Sequence, residues 1–80
     1  MAANANIYNT DGVLNSARTV SQGTFPLSFT GNNAANGFSV DGTTFSVDAA
    51  NNRIGIGTIT PQKNLHVNGT LQITNELNIG

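Results

Sequence analysis

Side chains that carry out acid–base or nucleophilic chemistry are scarce in this sequence and stand far apart. His66 is the single histidine, cysteine is absent, and the four carboxylates Asp11, Asp41, Asp48 and Glu76 occur singly along the chain. Catalysis needs an acid or a nucleophile within hydrogen-bond reach of a base. The sequence offers no such grouping, so we predict no catalytic residue, no cofactor-binding residue and no enzymatic activity.

Two features contain residue types found in ligand sites. Gly55 and Gly57 give the first two glycines of a G-x-G-x-x-G nucleotide loop, but Thr60 stands in place of the third. Close packing against another backbone is the better interpretation of these glycines. His66 could meet its copies and a metal ion at the axis of a trimer. Its apolar neighbours point to the opposite face, however, so we predict no metal ligand.

Asp41 and Asp48 end two copies of the same tetrad, FSVD, at residues 38–41 and 45–48. Isolated carboxylates supply too few oxygen ligands for a calcium site. Aspartate often caps a turn through its side chain, and we assign that role to both residues. The connection at residues 41–44 fits either a hairpin turn or the corner of a solenoid.

The elements that must position these residues are short strands. An apolar-x-apolar triplet returns every six residues, at 65–67, 71–73 and 77–79. Alternation places both apolar residues of a triplet on one face of a strand, and the polar residues between triplets favour turns. Such a repeat is typical of a β-solenoid or of strands winding about a fibre axis. Thr60 and Pro61 form the only helix-start signal, which predicts one helical turn at most.

Composition restricts the partners. Charged residues make up 9% of the 80 residues, against roughly 25% in an average protein. The net charge is −1, so no basic stripe is present for nucleic acid. The sequence has no apolar run long enough for a membrane helix and no signal-peptide pattern at its start. We expect no nucleic-acid binding, no membrane insertion, and release by lysis or as part of a particle.

Bulky apolar side chains are too few for one copy to build a dry interior, because the backbone entropy of folding outweighs their burial. Identical copies can remove this shortage by sharing a core. We therefore predict a homotrimer. Its predicted core consists of apolar residues in alternating segments: Phe25, Leu27, Phe29, Phe38, Val40, Phe45, Val47, Ile54, Ile56, Leu65, Val67, Leu71, Ile73, Leu77 and Ile79.

The same pattern divides the chain into four parts. Residues 1–6 are predicted to be a flexible or attachment N-terminus, residues 7–30 an N-terminal β segment, residues 31–37 a loop, and residues 38–80 a repetitive β-fibre shaft. Tyr8 and the four phenylalanines could alternatively line a sugar-binding stripe, but most of them stand in alternating strands, so we assign them to the core.

Residues 51–69 resemble a recurring module of phage tail-fibre and related surface-fibre proteins. The segments that carry the likeness are IGIGT at 54–58, TPQK at 60–63 and LHVNG at 65–69, with weaker likeness over residues 7–80. Many members of that family end in an endosialidase-type intramolecular chaperone, which guides trimer assembly and then cleaves itself off. This sequence contains no such domain. We expect a fragment, a mature product or a short fibre that folds with other help, and no self-cleaving residue is carried over.

The resemblance implies an all-β, elongated, intertwined homotrimeric β-fibre, a triple β-helix or β-prism-like shaft with almost no helix. It implies a structural component of a phage tail fibre or of a related contractile injection particle, located in the virion or in an extracellular particle. The implied partners are its own copies, other tail, baseplate or fibre proteins, and a cell-surface glycan. Two alternatives stay open: a carbohydrate-binding adhesin domain, and a single-chain β-solenoid, with or without an enzymatic face, that is a folded monomer.

Overall fold

A computed structural model describes residues 7–80, and the predicted flexible or attachment stretch at residues 1–6 lies outside this range. The four strands are β1 (Phe38–Val40), β2 (Phe45–Asp48), β3 (Arg53–Ile56) and β4 (Leu65–Val67). They form one sheet in the order β1-β2-β3-β4. Residues 7–80 contain no helix, so the prediction of an all-β chain is confirmed.

The first three strands form an antiparallel meander. Residues 41–44 connect β1 to β2, and the left-handed backbone of Asp41 (φ 57°) and Gly42 (φ 74°) makes the connection a hairpin turn and not a solenoid corner. Asn52, at φ 58°, closes the turn from β2 to β3. Asparagine and glycine tolerate this conformation better than other residues, which is why they occupy these turns.

The last two strands are parallel. Ile54 pairs with Leu65 and Ile56 with Val67, so the paired residues stand eleven positions apart in the sequence. The connection, residues 57–64, is short for a parallel crossover, which usually needs a dozen or more residues. It contains no helical turn, so the helix-start signal at Thr60 and Pro61 does not produce even the single turn that it allowed. The Thr60 N–H donates a 3.1 Å hydrogen bond to Thr58 Oγ1. Such a local side-chain bond competes with the backbone bonds of a helix.

The loop at residues 31–37 is attached to the sheet. Gly37 N–H donates to the carbonyl of Val47 at 2.8 Å, and Ala49 N–H donates to the carbonyl of Ala34 at 2.9 Å. These bonds continue the pairing of β1 with β2 into the residues that precede β1. The loop therefore packs as part of the sheet module.

The remaining described segments, 7–37 and 68–80, contain turns and extended chain but no strand. Strand pairing was predicted around Phe25, Leu27 and Phe29 and at the triplets 71–73 and 77–79, and none of these segments is paired in the single chain. An extended segment becomes a strand only when a neighbour accepts and donates its backbone hydrogen bonds. The described part of one chain provides no such neighbour.

The chain is elongated and buries little of its own surface. Its radius of gyration is 16.5 Å, against about 12 Å for a compact domain of this length, and its extents are 56 × 27 × 24 Å. The accessible surface is 7303 Å², whereas a folded monomer of this mass exposes about 4,600 Å². No large apolar side chain among the described residues is buried. Nor do these residues form a helix able to cross a membrane.

Candidate functional site

One face of the sheet carries eight large apolar side chains in two rows. Strand register aligns them, because directly paired residues and residues two apart along a strand share a face. The first row is Phe38, Val47, Ile54 and Leu65, and the second row is Val40, Phe45, Ile56 and Val67. We call these eight residues the apolar face. All eight belong to the predicted trimer core.

The apolar face is open in the single chain. Leu65 is 57% exposed, Val40 51%, Phe38 37% and Ile54 36%. The other four side chains, Phe45, Val47, Ile56 and Val67, are only half-buried. A monomer in water ordinarily covers a sheet face of this kind, because each large apolar side chain gains about 1.5–3 kcal/mol on full burial. The structure therefore presents a hydrophobic surface that its own chain leaves uncovered.

The opposite face holds small and polar residues, and the chain covers the middle of it, over β2 and β3. Ser39, Ser46, Gly55 and His66 lie side by side across the four strands. Ser46 has no exposed surface, and its hydroxyl donates a 2.6 Å hydrogen bond to Asn36 Oδ1 from the loop at residues 31–37. Gly55 is also buried. We call this surface the polar face.

Gly55 lies beneath the β3–β4 connection. A Cβ atom at this position would collide with the carbonyl oxygen of Thr58, whose methyl group lies 3.1 Å from the same point. Gly57, at φ 77°, brings its backbone against Asn68, whose carbonyl oxygen would be 3.2 Å from an added Cβ. The prediction of close backbone packing at both glycines is confirmed, and no phosphate-binding loop is formed at this turn.

The β3–β4 connection is held by two further polar contacts. Arg53 Nη1 donates to the carbonyl of Pro61 at 3.1 Å, and Pro61 itself is buried. The backbone N–H of Gln62 donates to His66 Nδ1 at 3.1 Å. His66 thus lies on the polar face as an acceptor for its own loop. Among residues 7–80 no group of three or more His, Cys, Asp or Glu side chains is placed to hold a metal ion.

Asp48 caps the β2–β3 turn, as predicted. Its Oδ1 accepts the N–H groups of Ala50 and Asn51 at 3.0 and 3.3 Å, and its Oδ2 accepts Asn51 Nδ2 at 2.9 Å. The Asn51 side-chain amide is the main cause that lowers the pKa of Asp48. The two backbone N–H groups and the charge of Arg53 act in the same direction, and partial burial opposes them. Asp41 is an exposed counterpart that accepts the Thr44 hydroxyl at 3.3 Å.

Phe29 joins the edge of the apolar face. Its ring centroid lies 5.0 Å from that of Phe38, at an interplanar angle of 44°, a favourable tilted arrangement. The two rings border a cavity of about 160 Å³ beside Val47 and Ala49. Phe25 and Leu27 are 76% and 50% exposed and take no part in the apolar face of one chain. The alternative interpretation of these residues, a sugar-binding stripe, therefore has only Phe29 and Phe38 in ring contact within one chain.

Sequence reasoning missed the residues that decide which face is covered. Asn36, Thr58 and Pro61 come from segments without periodicity, yet they fill the polar face or lie over it. A signal was present for Thr58, since Gly55 predicts a close approach by another backbone. No comparable signal marks Asn36, whose partner Ser46 looks like an ordinary solvent-facing strand residue.

No protein-family model, curated protein or solved structure matches this chain. The likeness of residues 51–69 to tail-fibre modules therefore stays a prediction. The proposal of a function therefore rests on the geometry of the two sheet faces.

Proposed function

We propose that this chain is a structural component of a phage tail fibre or of a related contractile injection particle, where three copies form a stiff shaft or attachment segment. The observation that supports the proposal is the uncovered apolar face on a sheet whose polar face is already covered over its two middle strands. Other copies of the same chain can cover this apolar face, so no further protein is needed.

The size of the uncovered surface supports an obligate assembly. Each copy exposes about 2,700 Å² more than a folded monomer of this mass. A cyclic trimer has three copies and three interfaces. If every copy buries its excess, the total area buried at each interface equals the excess of one copy. Obligate interfaces bury about 2,000–5,000 Å². The excess is thus of the size that a permanent oligomer needs.

The chemistry of the apolar face supports partners of the same kind. None of its eight residues is charged, and Asp48 and Arg53 lie at one end of the β2–β3 pair, where both oxygens of Asp48 and Nη1 of Arg53 are hydrogen-bonded. Copies that place this face toward a common axis bring no like charges together. The mechanism is mechanical: apolar layers at the axis and the hydrogen-bonded sheet outside give a rod that positions a tip or a neighbouring fibre protein.

Sedimentation equilibrium of the purified chain tests the proposal. A trimer has three times the monomer mass of 8.3 kDa. A folded monomer at micromolar concentration, or an assembly of another number of copies, contradicts it.

A carbohydrate-binding adhesin domain is a second candidate, favoured by the 76% exposure of Phe25. Exposed aromatic rings stack on the apolar faces of sugars, as they do on other flat partners. Glycan-array binding that is lost in Phe25→Ala, with the trimer intact, supports this function. No binding by the trimeric wild-type chain excludes it for the glycans on the array.

A further inference from the structure

Asparagine stands directly before glycine at two places in the chain, Asn36-Gly37 and Asn68-Gly69. Asparagine is a thermolabile residue. It is most labile before glycine, because glycine has no side chain to keep its backbone nitrogen away from the asparagine side-chain carbonyl. The sequence makes the two pairs equivalent, but the structure gives them different exposure and different hydrogen bonds.

The pair Asn36-Gly37 is held at both reacting groups. The Ser46 hydroxyl donates to Asn36 Oδ1 at 2.6 Å. Gly37 N–H donates to the carbonyl of Val47 at 2.8 Å. A Cβ atom on Gly37 would lie 3.1 Å from the carbonyl oxygen of Ala34, so this backbone has little room to turn. The Gly37 nitrogen can therefore reach the Asn36 side chain only after this part of the loop opens.

The pair Asn68-Gly69, just after β4, has much less to hold its reacting groups. Both residues are exposed, and no atom lies within 4 Å of the position that a Cβ atom on Gly69 would take. Within residues 7–80 the Gly69 N–H makes no hydrogen bond. In the same range the Asn68 side chain makes one, from Nδ2 to the carbonyl of Gly57 at 3.3 Å, against the usual range of about 2.7–3.2 Å. The Gly69 nitrogen can approach the Asn68 side chain without opening the sheet.

We propose that Asn68 is a site of spontaneous deamidation, while Asn36 is protected by the fold. The Gly69 nitrogen gives up its proton and bonds to Cγ of Asn68, the Cγ–Nδ2 bond breaks, and Nδ2 leaves with that proton as ammonia. The product is a five-membered succinimide ring. Water then adds to one of the two ring carbonyls and opens the ring, which returns a proton to the Gly69 nitrogen. Opening at Cγ gives aspartate, and opening at the main-chain carbonyl gives isoaspartate.

Deamidation changes how residue 68 is joined to the sheet. In either product the Nδ2 donor is gone, so the hydrogen bond to the carbonyl of Gly57 is lost. Isoaspartate also routes the main chain through the former side chain, which adds one carbon atom to the chain between residues 68 and 69. Each event adds one negative charge to a chain of net charge −1. The end of β4 is therefore loosened in the modified chain.

Peptide mass spectrometry of the full chain, incubated in mildly alkaline buffer, tests the proposal. Trypsin cuts after Arg53 and Lys63, which places Asn36 and Asn68 in different peptides. We expect Asn68 to convert at least about tenfold faster than Asn36, because two hydrogen bonds must open before Asn36 can react. In concentrated guanidinium chloride both sites lose their contacts, and their rates should become similar. Equal rates in the folded chain, or an excess at Asn68 that persists in denaturant, overturn the inference.

A matched variant tests the consequence for the fold. Asn68→Gln keeps a side-chain amide but reacts far more slowly, since its ring would need six members. Aged wild-type protein should melt at a lower temperature than fresh protein, and aged Asn68→Gln should not. An equal loss in both proteins overturns the role given to residue 68. The inference concerns each copy by itself, so a monomeric wild-type chain would overturn the proposed function and leave this inference standing.

Discussion

The hydroxyl of Ser46 donates a hydrogen bond to Asn36 Oδ1 at 2.6 Å, and this serine has no exposed surface. Its neighbours on β2, Phe45 and Val47, point to the other side and are only half-buried. One chain thus covers the middle of its polar face and leaves its apolar face largely in solvent. This distribution is the reverse of that in a monomeric globular domain, and it makes association the expected behaviour of the chain.

Ile56→Asp should prevent trimer formation. Ile56 lies in the middle of the apolar face, so the proposed trimer would enclose one carboxylate per copy without partners, at a large desolvation cost. Ile59→Asp is the matched control, because Ile59 belongs to the β3–β4 connection and is 42% exposed. Sedimentation equilibrium should give a monomer for Ile56→Asp and a trimer for Ile59→Asp. A trimeric Ile56→Asp with unchanged melting temperature would place Ile56 outside the shared core.

Gly55→Ala should destabilise the fold by about 1–3 kcal/mol, the usual range for an overpacked site. The added Cβ collides with the Thr58 carbonyl oxygen, which is backbone and cannot swing away as a side chain would. Gly12→Ala is the control, since no atom lies within 4 Å of its Cβ position. Urea unfolding at one fixed protein concentration measures both. Equal midpoints for the two variants would show that the connection does not pack on Gly55.

The turn at Asp48 should make stability fall in acid. Hydrogen bonds from Asn51 and from two backbone N–H groups lower the pKa of Asp48 in the folded chain. A group with a lowered folded pKa contributes its stabilisation above the unfolded pKa of about 3.9, and the contribution is lost as the pH falls through that value and below. Asp48→Asn should therefore unfold at a lower temperature at pH 7, with a difference from wild type that shrinks toward pH 2.

Asp41→Asn provides the comparison for this prediction. Asp41 ends the other FSVD tetrad and accepts only an exposed hydroxyl, from Thr44. Asparagine also tolerates the left-handed backbone found at this position. We expect a much smaller change of melting temperature at pH 7 than for Asp48→Asn. Similar losses in both variants would argue against a special role for the β2–β3 turn.

Glu76→Gln should raise the melting temperature of the assembly at low ionic strength. Parallel, in-register copies bring three Glu76 carboxylates to one level of the shaft, and like charges repel. Salt screens such exposed charges, so the gain should disappear at high salt. Thermal unfolding at two salt concentrations is sufficient. A trimer whose melting temperature is unaffected by the substitution at low salt would contradict a shaft in which residue 76 of all three copies lies at one level.

Alternation in the sequence predicts much of the apolar face. The FSVD tetrads, Ile54 with Ile56, and Leu65 with Val67 all place their apolar residues on one side of a strand, and the register brings these sides together. The cap at Asp48 is also predicted correctly, and a turn is predicted at Asp41 and Gly42, although the sequence leaves open whether it is a hairpin or a solenoid corner. Local chemistry decides each of these features, because a turn or a strand face depends on residues that are close in sequence.

Features that depend on distant contacts could not be predicted in the same way. Alternation defines two faces but does not tell which one the chain covers, and Asn36 and Thr58 decide this from aperiodic loops. The helix-start signal at Thr60 fails because Thr58 binds its N–H and Arg53 binds the following carbonyl group at Pro61. The parallel pairing of β3 with β4 at a spacing of eleven residues could not be predicted, because this spacing does not repeat in the sequence.

The direction of the two outer strands has a consequence for mechanical load. β1 runs from Phe38 to Val40 and β4 from Leu65 to Val67, and both point the same way across the sheet. The chain thus enters at one end of the sheet and leaves at the other. A pull along the strands loads the hydrogen bonds of each strand pair in shear and together, because these bonds run across the strands, perpendicular in the antiparallel pairs and slanted in the β3–β4 pair. A rod built from such units should resist stretching far better than one whose hairpins can be peeled open bond by bond.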